Sequence, residues 1–328
     1  MITRIIDRNF ANMRLDRFLR QAFPNEPLST FFAILRKKKV RVNGIRAKAM
    51  QILHDGDTVD IYENFKSVSE NNEVPVKKNW GSSPEFADRQ FVKENLVFAL
   101  EKEDFVILDK PSGIASQPGT GTRKGESLVE MLWQWGKDQQ LNFKPTLAHR
   151  LDADTSGLII AALYGDSLRD LTRMLREHAI QKTYTALIKG NLKKDEGTID
   201  ISLKRTDSKS GSKMKTEEKD GKRSITHYTV QQHLNGYDLV KVRLETGRMH
   251  QIRAHFASIG HPLLGDTRYG DFALNRNFKK EFGLKRLFLH STRLEFEWKG
   301  KRIAVDSPLP KELRETVKAV KKNKTPSF

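Results

Sequence analysis

The 328-residue sequence contains no cysteine. That excludes disulfides, thiolate metal ligands and thiol nucleophiles. Long hydrophobic runs are missing too: nowhere do 18 apolar residues follow one another, and the opening Met1-Ile2-Thr3-Arg4-Ile5-Ile6-Asp7 lacks the apolar core of a secretion signal. The expected location is the cytoplasm, with no membrane involved. Acidic residues are the third shortage, 41 Asp plus Glu against 59 Lys plus Arg, a net charge of +18. Such an excess suits a polyanionic partner. The basic residues recur beside aromatics and glycines rather than along one amphipathic face, which favours nucleic acid over a membrane surface. His250, His255 and His261 do not share a helix face, and no suitably spaced carboxylate completes a cluster, so no metal and no other cofactor is expected.

The length suits two domains. Near the start, Met13 to Leu19 reads as the beginning of an amphipathic helix and Leu28 to Lys39 as a second, with a strongly basic end containing Lys37 and Lys38. Val40-Arg41-Val42 is a strand entering an Asn43-Gly44 turn, and Thr58 to Tyr62 alternates like another. Residues 1–65 form the expected small domain and 66–90, rich in Asn, Ser, Pro and Lys, a linker. A catalytic domain is expected over 91–312 and a basic tail over 313–328. Within 91–312, strands are expected at 96–100, 105–109, 158–163, 183–188, 227–230 and 239–244, with helices at 128–134, 167–177 and 249–258; residues 203–223 read as an exposed hairpin or loop. Strands and helices do not alternate regularly, which predicts an α+β fold with a mixed, mainly antiparallel sheet.

One segment stands out. His149-Arg150-Leu151-Asp152-Ala153-Asp154-Thr155-Ser156-Gly157 runs straight into the apolar Leu158 to Leu163, so ionisable groups stand where a core strand begins. Charge there is costly unless paired or hydrogen-bonded, which implies an ordered arrangement. Two readings are open at this point: a structural ion pair at a strand mouth, or a site with Asp152 as its nucleophile.

Three further segments join it in order: Lys110-Pro111-Ser112-Gly113 after an apolar strand, Gln181-Lys182-Thr183-Tyr184 opening another, and Thr246-Gly247-Arg248-Met249-His250-Gln251-Ile252-Arg253 launching a helix. With Gly260-His261-Pro262-Leu263-Leu264-Gly265-Asp266 and Arg286-Leu287-Phe288-Leu289-His290, the set resembles the RluA-type RNA pseudouridine synthases over nearly the whole chain. Within that family it looks most like the C branch (RluC), which acts on large-subunit (23S) ribosomal RNA. Residues 13–62 resemble the small RNA-binding domain of ribosomal protein S4 type. Two positions depart from the family pattern: Asp109 stands where Asn is frequent, and Ala153 where Arg is common.

The resemblance implies an isomerase that breaks the bond from ribose to uracil nitrogen, turns the trapped base and rejoins the sugar to a ring carbon. It assigns Asp152 as nucleophile, Arg253 as its basic partner, Tyr184 as the aromatic beside the base, and Arg150 as the residue that fills the place of the extruded uridine. His149 is read as structural or RNA-adjacent, Lys182 and Arg248 as phosphate-positioning, and Lys37, Lys38 and Arg41 as the basic face of the small domain. The expected partner is large-subunit ribosomal RNA, met by a monomer with no obligatory protein partner. The competing expectation is a non-catalytic RNA-binding or ribosome-assembly protein on the same fold.

Overall fold

In chain order the first elements are β1 (Ile2–Ile5), α1 (Leu15–Ala22), α2 (Leu28–Arg36), β2 (Val40–Val42), β3 (Ile45–Arg46) and β4 (Thr58–Ile61). The computed structural model describes residues 1–63, 65, 89–119, 122–206, 213–217 and 220–322. The four strands pair antiparallel in the order β1-β4-β2-β3. Asn43 and Gly44 both take positive φ, 51° and 76°, the paired left-handed turn that folds β3 back on β2. Phe18, Leu19, Phe31 and Ile34 from the helices close on Val40, Val42, Val59 and Ile61, all nearly free of solvent. Each such side chain contributes about 1.5–3 kcal/mol. The second helix stops at Arg36, short of the expected Lys39, because Lys38 turns left-handed (φ 57°) to release the chain into β2. Lys37, Lys38 and Arg41 are exposed on one end of this unit, with Arg41 5.3 Å from the Tyr62 ring centroid.

The remaining elements are α3 (Arg89–Asn95), β5 (Phe98–Glu101), β6 (Phe105–Lys110), α4 (Leu128–Asp138), β7 (Thr146–Leu147), β8 (Ser156–Ala162), α5 (Gly165–Arg176), β9 (Gln181–Lys189), β10 (Glu196–Asp200), β11 (Leu203–Thr206), β12 (Lys213–Thr216), β13 (Ile225–Leu234), β14 (Tyr237–Leu244), α6 (Gln251–Ser258), α7 (Phe272–Phe282), β15 (Leu289–Trp298), β16 (Lys301–Asp306) and α8 (Lys311–Lys322). Most strands join one mixed sheet in the order β10-β13-β14-β9-β15-β8-β6-β5, with β16 on β15 and β7 on β8. Every pairing in it is antiparallel except β15 with β8. The α+β expectation holds.

The central strand β8 is buried along its whole length, which explains its uninterrupted apolar sequence. It meets β15 where Gly157 (φ +105°) lies opposite Ser291, and a Cβ on Gly157 would fall 2.3 Å from the Ser291 carbonyl oxygen. Only glycine fits there, so the preceding loop enters β8 at a fixed point. Helix α4 and the buried side of α6 pack on one face of the sheet; α5, and farther along α7 and α8, cover the other.

Two expectations need correction. The supposed tail from residue 313 is largely α8, whose Leu313, Thr316 and Val320 are buried in a cluster with Phe278 and Phe288. Residues 323–328 of that tail lie outside the described residues. The linker expected over 66–90 lies outside them over 66–88, and its last two residues already belong to α3. The span 203–223 is a two-stranded hairpin of β11 and β12 where it is described.

The segment after β1 docks the small unit onto the large sheet. Arg8 bonds the carboxylates of Asp104 and Asp166 and lies over the Tyr164 ring, 4.1 Å from its centroid. Arg169 in turn donates to the carbonyls of Asn9 and Ala11. The Asp166 amide at the start of α5 donates to the Arg8 carbonyl.

Candidate active site

The loop carrying Asp152 is fixed through its backbone. The Lys110 ammonium, fully buried at the end of β6, donates to the carbonyls of Pro111 (2.9 Å), Ile114 (2.7 Å) and Ala153 (2.9 Å). Ser112 Oγ donates to the Asp154 carbonyl and Ser116 Oγ to that of Leu151. From the far side Arg286 Nη2 reaches Ser156 Oγ at 2.7 Å. Burial lowers the Lys110 ammonium to about 7, helped by Arg286 and opposed by Asp152 and Asp154. Its three carbonyl acceptors match three N–H donors and stabilise the charged form. Lys110→Met leaves those carbonyls without a donor, each worth about 1–3 kcal/mol. The expected outcome is a loss of at least about 3 kcal/mol in urea denaturation, with turnover of the surviving folded protein slowed at least about tenfold.

Asp152 projects from this loop toward α6. Its Oδ2 accepts a hydrogen bond from Arg253 Nη1 at 3.1 Å, and its side chain is 16% exposed. The guanidinium is itself seated: Nε and Nη2 donate in a fork to the two oxygens of Asp266, at 2.7 and 2.8 Å, and the Asp266 side chain is inaccessible to solvent. Burial alone would raise Asp266, but the Arg253 guanidinium overrides it and holds the carboxyl below the usual range. Arg253 is thus aimed by one carboxylate at another.

Tyr184, in the middle of β9 and beside Ser291 of β15, faces the same side. Burial and the Asp152 charge push its phenol up from the ordinary value. At neutral pH it is a protonated phenol and an aromatic surface.

The site therefore brings together Asp152, Arg253 and Tyr184. Arg150 is exposed on the loop two residues before Asp152. Lys182 is partly buried on the Tyr184 face of β9; burial lowers its ammonium, and no ion-pair partner reaches it among the described residues. Arg248 is exposed at the approach to α6. His149 takes the structural half of its reading: its Nε2 accepts the Ile160 amide at 3.2 Å, and burial drives its imidazole down to about 3. Lys37, Lys38 and Arg41 belong to the small unit and not to this cleft. Ala153 contributes its carbonyl rather than its side chain, and Asp109 accepts from Ser307 Oγ at 2.6 Å.

Sequence reasoning missed the roles of Lys110, Asp266 and Arg286. Their segments were visible as motifs. What they do, gripping carbonyls or a carboxylate far away in sequence, was not.

Two solved structures share the fold: Human RNA Pseudouridylate Synthase Domain Containing 4 (TM-score 0.58, 19% identity, 70% of this chain and 94% of that one) and Human RNA Pseudouridylate Synthase Domain Containing 1 (TM-score 0.53, 24% identity, 71% and 98%). The family described as RNA pseudouridylate synthase matches residues 104–258, and the S4 domain matches residues 13–59. The sequence is 34% identical over 325 residues to the Ribosomal large subunit pseudouridine synthase C of Yersinia pestis, covering 98% of this chain and 96% of that protein. It is 34% identical over 307 residues to the protein of the same name from Escherichia coli K12 (93% and 92%) and 32% identical over 321 to that of Haemophilus influenzae (97% and 95%). The chain belongs to the RNA pseudouridine synthase family and is an isomerase acting on RNA.

Proposed function

We propose that this protein converts uridine to pseudouridine in large-subunit ribosomal RNA, with Asp152 as the catalytic carboxylate. The observation that carries the reading is the Asp152–Arg253–Asp266 chain: a partly exposed carboxylate oriented by a guanidinium that a buried carboxylate holds in place. The reaction exchanges an N1–C1′ bond for a C5–C1′ bond; C5 loses a proton and N1 gains one, with no net redox change. A positioned carboxylate suffices for the covalent or proton-abstracting step if water is kept away.

Tyr184 supplies a flat partner for the extruded base, and Arg150 stands at the loop surface where a vacated stack would lie. Lys182 and Arg248 meet phosphates at the cleft, and the S4 unit adds a second basic contact. The reading has the chain work as a cytoplasmic monomer without a protein partner, since it carries its own RNA-binding unit.

Incubating unmodified large-subunit ribosomal RNA with the protein and separating its digested nucleosides tests this. Pseudouridine should appear mole for mole as uridine disappears; free uracil would mean a hydrolase, and an unchanged digest a binding protein. The S4 contribution has its own signature. Replacing Lys37, Lys38 and Arg41 by Ala should weaken RNA binding and flatten the slope of log K against log salt by about 2 to 3, one counterion released per lost contact. An unchanged slope would remove those residues from the RNA contact.

A further inference from the structure

His250 lies next to the reacting carboxylate and has no part in the chemistry derived so far. It is the residue just before α6, in the left-handed region at φ 51°, which few non-glycine residues adopt. Its Nε2 is 3.8 Å from Asp152 Oδ1, the oxygen Arg253 does not bond. Its Nδ1 is 3.0 Å from the Tyr269 hydroxyl, and the two rings meet edge to face.

The hydrogen of the His250–Tyr269 contact is assigned to the phenol oxygen. The Tyr269 oxygen already accepts the Met214 amide at 2.7 Å. Burial holds the Tyr269 phenol above its ordinary value, so it keeps its hydrogen, and His250 Nδ1 is the acceptor the structure shows for it among the described residues. That assignment leaves the ring hydrogen on Nε2, the nitrogen 3.8 Å from Asp152 Oδ1, a step beyond hydrogen-bond distance. The groups facing the imidazole are Asp152 from the catalytic loop, Arg253 from α6, and Asp266, Arg268 and Tyr269 from the segment after it, with Lys213 of β12 beyond the Tyr269 ring. Burial outweighs the carboxylates and lowers His250 below its ordinary value, so it is neutral at pH 7.

Resting on the assignment of Asp152 as the catalytic carboxylate, we propose that His250 is a positioning residue for it: a neutral imidazole, its tautomer pinned by Tyr269, that steers Oδ1 with its Nε2–H. Arg253 ties down Oδ2, which makes Oδ1 the oxygen that reacts. Protonated, the imidazolium would pair with Asp152 and quench it, so single-turnover rate should fall as pH drops through the His250 value. Removing the Tyr269 hydroxyl takes away a donor that favours the neutral ring, and the acid limb should move to higher pH.

The test is single-turnover pseudouridine formation on a saturating ribosomal RNA substrate across pH, with RNA affinity measured in parallel. His250→Ala should slow the step roughly tenfold to a hundredfold with affinity unchanged. His250→Gln, which restores an N–H, should recover most of the loss, and Tyr269→Phe should shift the acid limb upward. Unimpaired His250→Ala, His250→Gln no better than Ala, or an unmoved acid limb in Tyr269→Phe would overturn the proposal. Asp152→Ala is run alongside: its turnover would sink the reading of the site itself and this proposal with it, whereas an inactive Asp152→Ala beside an unimpaired His250→Ala would sink this proposal alone.

Discussion

Asp152→Ala should abolish pseudouridine formation, by about 10⁴-fold or more, while RNA affinity stays within about threefold. The two readouts separate because different residues supply them. Among the described residues the Asp152 side chain makes one hydrogen bond, to Arg253, and it presents little surface. The proposed phosphate contacts are instead Arg150, Lys182, Arg248 and the S4 unit. The loop does not depend on the Asp152 side chain either, because Lys110, Ser112 and Ser116 hold its backbone. Equal losses of turnover and affinity would mean that the carboxylate organises the RNA-binding surface rather than the chemistry. Filter binding and nucleoside chromatography on the same preparation decide between them.

Arg253→Met should strike fold and catalysis together. It strips Asp266 of its fork and Asp152 of its orienting donor, and an uncompensated buried carboxylate costs about 3–5 kcal/mol. The pH dependence has a definite sign. In the parent protein Asp266 sits below the ordinary carboxylate range, so its contribution to stability is fully present above about pH 4 and is lost as pH falls through its folded value. In Arg253→Met burial acts unopposed by the guanidinium, the carboxyl rises, and the destabilisation relative to the parent shrinks as pH falls from 7 toward 4. Arg253→Lys keeps the charge, but an ammonium lacks the planar fork that serves both carboxylates. It should fold and turn over about 10²-fold more slowly. Urea midpoints across that pH range check the first variant, and single-turnover rates the second.

How much was legible beforehand follows from where the information resides. Asp152 stood out because it is an ionisable residue just ahead of an apolar run, but that pattern left a structural ion pair equally open and the family resemblance supplied its role; Leu158 to Leu163 announce their burial by composition. The helix carrying Arg253 was readable too, though not the direction of its guanidinium. That direction is set by Asp266, 13 residues later across a turn. Lys110 was quoted only as part of a motif, since its partners are backbone carbonyls, one of them 43 residues away, and carbonyls leave no mark in sequence. His250 was set aside with His255 and His261 as a failed metal cluster. In the fold the latter two bond Thr226, the Ile201 carbonyl and the Lys189 carbonyl, while His250 alone turns to the catalytic loop.

The C-terminal misreading has a physical cause. Residues 311–322 carry Leu313, Val317 and Val320 at helical spacing, but four lysines in the same stretch drew attention to charge. The lysines are mostly on the solvent side, and the apolar stripe fills the gap beside α7.

Mapping pseudouridine through large-subunit ribosomal RNA, from cells lacking this protein and complemented with either the parent chain or Asp152→Ala, tests the central claim most directly. The account predicts one or more sites that vanish in the deletion, return with the parent chain and stay absent with the variant. Sites restored by Asp152→Ala, or a map identical in all three strains, would contradict it.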